Sequence, residues 1–230
     1  MRASSSPDDQ VMTKTKTAQR LPLVVLISGE GTNLQAIIEA CVAGTIPAEV
    51  LAVVSSRAEA RGLRRAAAAG IPVHAVLAAG NTSREDYAMA LSAVIERYHP
   101  GLVLLAGFLR ILSDGFVRQY RGRLLNIHPA LLPKYRGLHT HRRVLAAGER
   151  EHGCSVHFVT EELDGGPVIA QAKVPVRPDD TEATLRARVQ EQEHGLYPLV
   201  IGWFAAGRLR LQDGRVLRDG KLVNSMDIQP

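Results

Sequence analysis

The stretch Leu23-Val24-Val25-Leu26-Ile27-Ser28-Gly29-Glu30-Gly31-Thr32-Asn33-Leu34-Gln35 decides the fold. A short, continuous apolar run marks a strand covered on both faces, the usual situation in a parallel sheet. The glycine-bearing turn behind it leads into a helical pattern at about 33–43, which Gly44 stops. Further strands are expected at 50–54, 72–76, 102–106 and 124–127. Between the first of these lie an alanine- and arginine-rich helix ending near Gly70, and a helix capped by Thr82 or Ser83 that runs to about Tyr98. Alternation with short connections implies an α/β fold: a doubly wound, mostly parallel sheet with helices on both faces. Such sheets bind ligands beyond the carboxyl ends of the strands, where strand order reverses. Function is therefore expected just after Ile27, Ala106 and Ile127.

The second half has a different pattern. Residues 154–160 alternate like a strand, 168–176 form another, and Asp164-Gly165-Gly166-Pro167 turns the chain between them. A long helical pattern covers 181–206, and a terminal hairpin is expected around Asp213-Gly214, a pair suited to a two-residue turn. These are antiparallel additions to the sheet. No linker or repeat divides the chain, so 22–230 is expected to be a single domain. Residues 1–21 are polar, lack the apolar core of a secretory signal, and are expected to be a disordered extension.

The chain has 230 residues, 46% of them hydrophobic and 22% charged, which is ordinary globular usage. No stretch is long and apolar enough for a membrane span, so no membrane partner is expected. The net charge of +5 is small and is shared with the first twenty residues, where Arg2, Lys14, Lys16 and Arg20 outnumber Asp8 and Asp9. Aromatic residues are too scattered for a base-stacking platform, so nucleic acid is not expected as a partner. Cys41 and Cys154 read as buried reduced thiols, which suits a cytoplasmic protein.

Three constellations carry chemistry, each beside a plainer explanation. In the glycine loop, the amide groups at a helix start favour an anion such as phosphate. Plain capping is equally open, since Thr32 and Gln35 fit a capping box. Leu34 breaks the G-x-G-x-x-G pattern, and Ser55-Ser56-Arg57 offers no acid for a ribose, so a nicotinamide cofactor is disfavoured. Asn126 and His128, at i and i+2 of a strand, face the same way, and Pro129 keeps His128 extended. An amide donor beside an imidazole suits a reaction with a developing oxyanion and a proton to move; a polar pair capping the strand is the alternative. Asp164, if it lay near His128, would favour the imidazolium, but its sequence context is also ordinary turn chemistry. The spacing does not show whether the two meet. His152, Cys154 and His157 do not share a strand face, His139 and His141 do not share a helix face, and no metal is expected. Arg61, Arg64 and Arg65 read as a solvated helix face.

Residues 26–38 (LISGEGTNLQAII), 105–112 (LAGFLRIL), 125–135 (LNIHPALLPKY) and 153–167 (GCSVHFVTEELDGGP) together resemble the phosphoribosylglycinamide formyltransferase family, the folate-dependent enzymes of purine synthesis. The likeness runs from about residue 23 to 211. It implies transfer of a formyl group from 10-formyltetrahydrofolate, as co-substrate, to the amine of glycinamide ribonucleotide. It implies Asn126, His128 and Asp164 as catalytic residues, and so supplies the Asp164–His128 contact. Gly31, Thr32 and Asn33 match the loop that grips the ribonucleotide phosphate, and Gln190 to Glu193 match the segment holding the rest of that substrate. Arg84, Leu109, Arg110, Ile111, Leu112, Asn126, Thr160, Glu161, Glu162, Leu163 and Asp164 match folate-binding positions, with Leu109, Ile111 and Leu112 as closed apolar walls for the pteridine. Small-molecule partners, no metal, and a monomer or homodimer complete the expectation. Ala130 and Arg136 depart from the family's usual residues. The alternatives are a formyltetrahydrofolate hydrolase, another folate-dependent formyltransferase, or a non-catalytic phosphate-binding module. Methionyl-tRNA formyltransferases are longer, with an added C-terminal domain for which this chain leaves no room.

Overall fold

Buried apolar strands organise the structure, a computed structural model that describes residues 20–223. The expected extension therefore lies outside the described residues as far as residue 19. The chain alternates β1 (Leu21–Ile27), α1 (Thr32–Val42), β2 (Ala48–Ser55), α2 (Arg61–Ala68), β3 (Val73–Ala75), α3 (Arg84–Ile95), β4 (Leu102–Leu105), α4 (Asp114–Gln119), β5 (Leu124–His128) and α5 (Thr140–Ala146). It then runs through β6 (Glu151–Phe158), β7 (Val168–Pro175), α6 (Glu182–Ala205), β8 (Leu209–Gln212), β9 (Arg215–Arg218) and β10 (Lys221–Leu222).

Seven strands form one sheet in the order β3-β2-β1-β4-β5-β6-β7. Pairs among the first five are parallel, while β5–β6 and β6–β7 are antiparallel. Strand order reverses between β1 and β4, which sets the switch point there. A separate three-stranded antiparallel sheet, β10-β9-β8, closes the described chain.

The apolar run of β1 is explained by two cores. Leu23, Val25 and Ile27 face one cluster with α1 and α6, while Val24 and Leu26 face the other with α3 and α4. With both faces covered, alternation disappears from the sequence. Full burial of each such side chain contributes about 1.5–3 kcal/mol. Tyr197, fully buried on α6, donates its hydroxyl to the carbonyls of Leu105 and Leu125, both at 3.1 Å. This ties the long helix to the site-bearing ends of β4 and β5.

Boundaries depart from expectation where local chemistry decides them. Ser83, not Thr82, caps α3, its hydroxyl accepting from the Asp86 amide at 3.0 Å. That helix stops at Ile95, and a 3-10 turn at Glu96–Tyr98 follows, closed by left-handed His99. Strand β6 begins at Glu151 and leaves the sheet after Phe158. Helices α4 and α5, of 6 and 7 residues, span fewer than two turns and are too short to repeat an apolar period. The hairpin turn matches expectation, with Asp213 and Gly214 at φ 50° and 72°.

Candidate active site

Ser28 clips together the three strand ends at the switch point. Its amide donates to the Gly107 carbonyl at 3.1 Å, its hydroxyl accepts from the Leu109 amide at 2.8 Å, and it lies 2.7 Å from the Ser56 hydroxyl. The chain then enters α1 through Gly31, at φ 71°. Any Cβ on Gly31 would stand 2.7 Å from the Gly62 Cα, so only glycine lets α2 pass this close. Because Gly31 takes the N-cap position, Thr32 is already helical and the expected capping box does not form. Gln35 donates instead to the Glu39 carboxylate at 2.9 Å. The amides opening α1 carry no side-chain cap, which leaves them to an anion. The expected solvated face of arginines is also corrected in part. Arg61 pairs with the Glu30 carboxylate at 3.3 Å and Arg65 Nε donates to the Glu30 carbonyl at 2.8 Å, bracing the loop, while Arg64 is exposed.

A groove lined by Thr32, Gln35, Arg65 and His194 runs from this loop to α6. Between the same two helices, Asn33 Nδ2 of α1 donates to Glu193 Oε2 of α6 at 2.8 Å. Burial pushes the Glu193 carboxyl up to about 7, against the opposing effect of the Asn33 hydrogen bond. Asn33 Oδ1, Gln192 Oε1 and His194 Nε2 are buried with no hydrogen-bond partner among the described residues. Such groups are costly unless a ligand or water meets them. Gln190 is half-buried on the same helix.

The second centre lies at the end of β5. Register pairs Asn126 with His157 of β6, and Asn126 Nδ2 is 3.1 Å from His157 Nε2. His128 Nδ1 is 3.5 Å from Asp164 Oδ2, so the structure brings together the acid and imidazole that spacing alone could not. The same oxygen accepts the Gly137 amide at 2.9 Å, and Asp164 Oδ1 lies 3.8 Å from His157 Nε2. The acid thus sits between two rings. It is held there at φ 47°, a left-handed conformation that aspartate tolerates better than most residues. Gly166 makes the turn possible, because a Cβ there would strike the Phe158 carbonyl oxygen. Desolvation holds the His157 imidazole down at about 4.

Between these loops a cleft is lined by Arg110, Ile111, Leu112, Asn126, Thr160, Glu161, Glu162, Leu163 and Asp164 of the expected folate residues, together with His157. Leu109 and Arg84 are not part of its wall. The Leu109 amide is spent on Ser28 and its side chain is 60% exposed, while Arg84 opens α3 in solvent. Ile111 is 58% exposed, so the apolar wall is open rather than closed. Nor does His128 line the cleft. Its Nε2 faces the Tyr135 carbonyl at 3.0 Å, so both ring nitrogens meet acceptors within the protein, behind Asp164. Arg136, one of the departures, forms an ion pair with Glu162 across the loops after β5 and β6. Sequence reasoning missed Tyr135 and Gly137, whose contribution is backbone, and His157, whose register opposite Asn126 it could not know. Among the described residues no cluster of three or more His, Cys, Asp or Glu is placed to hold a metal ion.

Carbonyl chemistry needs a donor for a growing negative charge and a group that carries a proton, and one edge of this sheet offers both beside an anion loop. The class this defines is an α/β group-transfer enzyme. Similarity to known proteins narrows it. A profile of the formyl transferase family matches residues 21–201. Phosphoribosylglycinamide formyltransferase of Escherichia coli (strain K12) is 59% identical over 199 residues, covering 86% of this chain and 94% of that protein. The Haemophilus influenzae protein of the same name is 48% identical over 201 residues, 87% of this chain and 95% of its own. Among solved structures, phosphoribosylglycinamide formyltransferase from Coxiella burnetii in complex with CHES superposes with a TM-score of 0.85 at 53% identity, covering 89% of this chain and 96% of that one. The chain belongs to the formyl transferase family.

Proposed function

We propose that this enzyme moves the formyl group of 10-formyltetrahydrofolate to the amine of glycinamide ribonucleotide, giving formylglycinamide ribonucleotide in de novo purine biosynthesis. The observation that carries the reading is that Asn126 and Asp164 line one cleft, with His128 3.5 Å from Asp164 behind it. Near-complete coverage of relatives bearing that name supports the choice of acceptor over hydrolysis.

In this account the ribonucleotide phosphate lies on the amides of Gly31, Thr32 and Asn33, and Glu193 with Gln190 holds its sugar. The folate occupies the cleft between residues 110–112 and 160–164. The amine lone pair attacks the formyl carbon, and the carbonyl π electrons move to oxygen, where the free N–H of Asn126 stabilises them. Collapse breaks the bond from carbon to the folate nitrogen, which takes up a proton, while the attacking nitrogen gives one up. Asp164 faces the cleft and is positioned to receive that proton, with His128 behind it as the charge partner. Bringing the His128 ring to the formyl oxygen as a second donor requires its Nε2 to exchange the Tyr135 carbonyl for that oxygen. Donors of this kind are typically worth ~10²–10³ in turnover each.

All these residues come from one chain, so a monomer suffices for the chemistry and a homodimer would carry two such sites. Residues 22–230 are taken as one domain. Cys41 and Cys154 are both unpaired and buried, which suits a reducing compartment and the cytoplasmic location proposed here. The test is an absorbance assay of folate deformylation with and without glycinamide ribonucleotide. Strict dependence on the ribonucleotide supports the transferase; equal rates without it would make the enzyme a hydrolase.

A further inference from the structure

His157 is the buried titratable side chain at the cleft that the proposed mechanism leaves without a role. It is 2% exposed, and three groups face its ring nitrogens. Nδ1 lies 2.9 Å from the Phe158 carbonyl oxygen, Nε2 lies 3.1 Å from Asn126 Nδ2, and the Asp164 carboxylate stands 3.8 Å from Nε2. A carbonyl oxygen only accepts, so Nδ1 carries the hydrogen. In the neutral ring Nε2 then presents a lone pair. Asn126 Nδ2 is the donor that meets it, while the carboxylate is an acceptor and too far to bond.

This pattern settles which way the carboxamide of Asn126 turns. With its nitrogen toward His157, one N–H is consumed by the ring and the other remains for a substrate oxygen. Flipped by half a turn, the amide would set its oxygen against the Nε2 lone pair. The flipped amide could not present the same N–H to a growing negative charge. We infer that His157 is a positioning residue, whose Nδ1–H tautomer fixes the Asn126 carboxamide in its donating orientation. The inference rests on the reading of Asn126 as the oxyanion donor. Burial of the ring favours its neutral form, which is the form that accepts from Asn126.

Steady-state kinetics of Asn126→Ala, His157→Phe, His157→Gln and the double variant Asn126→Ala/His157→Phe test it. His157→Phe should lower kcat about 10–100-fold, the scale of a misplaced catalytic group, with KM for both substrates within about 3-fold. His157→Gln, whose amide oxygen can accept from Asn126, should recover most of the loss. Once Asn126 is alanine, adding His157→Phe should cost less than about 2-fold more, because the two act through one contact. An unchanged kcat in His157→Phe, or an equal loss in both backgrounds, overturns the inference while leaving the reading of Asn126 intact. Full turnover by Asn126→Ala overturns both. Nitrogen-15 NMR of the wild-type ring needs no variant to fold: it should show the hydrogen on Nδ1, and a hydrogen on Nε2 at neutral pH would refute the assignment.

Discussion

Asp164 Oδ2 stands 3.5 Å from His128 Nδ1, and the other nitrogen of that ring faces the Tyr135 carbonyl at 3.0 Å. One ring nitrogen therefore faces a carboxylate oxygen and the other a backbone carbonyl oxygen. The couple is buried, with side chains 7% and 9% exposed, so each partner depends on the other to offset the loss of water.

Replacing Asp164 by asparagine should separate binding from chemistry. The amide oxygen can still accept from Gly137, so the turn persists and folate affinity should stay within a few-fold. Turnover should fall about 10²–10³-fold, in line with loss of a preorganised charge in such a site. Steady-state kinetics beside a folate-binding titration check this, and wild-type turnover in the variant would contradict the assigned role.

Glu193 makes stability depend on pH. Its carboxyl rises from 4.5 in the unfolded chain to about 7 in the folded one. Between these values the folded state holds more protons on this group, so its contribution to stability is greatest below 4.5 and is lost as pH rises through 7. Glu193→Gln keeps an acceptor for Asn33 and removes the slope. Urea titrations at pH 5 and pH 8 should show the variant gaining on wild type at the higher pH, by about 3 kcal/mol at most. An identical difference at both pH values would mean that the acid titrates normally.

Gly166→Ala should disturb the folate side of the cleft. The added methyl collides with the Phe158 carbonyl oxygen, and the turn carrying Asp164 must move to relieve it. A stability loss of about 1–3 kcal/mol is expected, with a rise in folate KM and a fall in kcat together. Denaturant titration and kinetics on one preparation check both, and an unperturbed variant would show that the turn has room it is not credited with.

Periodicity and punctuation made the sheet legible. Strands β1, β2, β4 and β5 are mainly apolar runs, and their alternation with helices fixes the parallel architecture. The glycine loop and the Asn126/His128 pair were visible because polar residues end strands that are otherwise apolar. What stayed hidden is whatever depends on distance through space. The capping box at Thr32 gave way because α2 crosses at Gly62, a packing fact that local sequence does not carry. The Asp164–His128 contact depends on how the loop after β6 folds over the end of β5. Alternation places His157 on a strand face, but its partner follows from an antiparallel register that alternation cannot specify. Tyr135 and Gly137 act through backbone atoms, which side-chain identity does not announce.

The most direct test of the account follows the carbon itself. Folate carrying a carbon-13 formyl group, incubated with enzyme and glycinamide ribonucleotide, should deliver the label to the glycyl amide of the ribonucleotide, as read by NMR and mass spectrometry, with little free formate. Label recovered as formate, with the ribonucleotide unchanged, would contradict the proposed transfer.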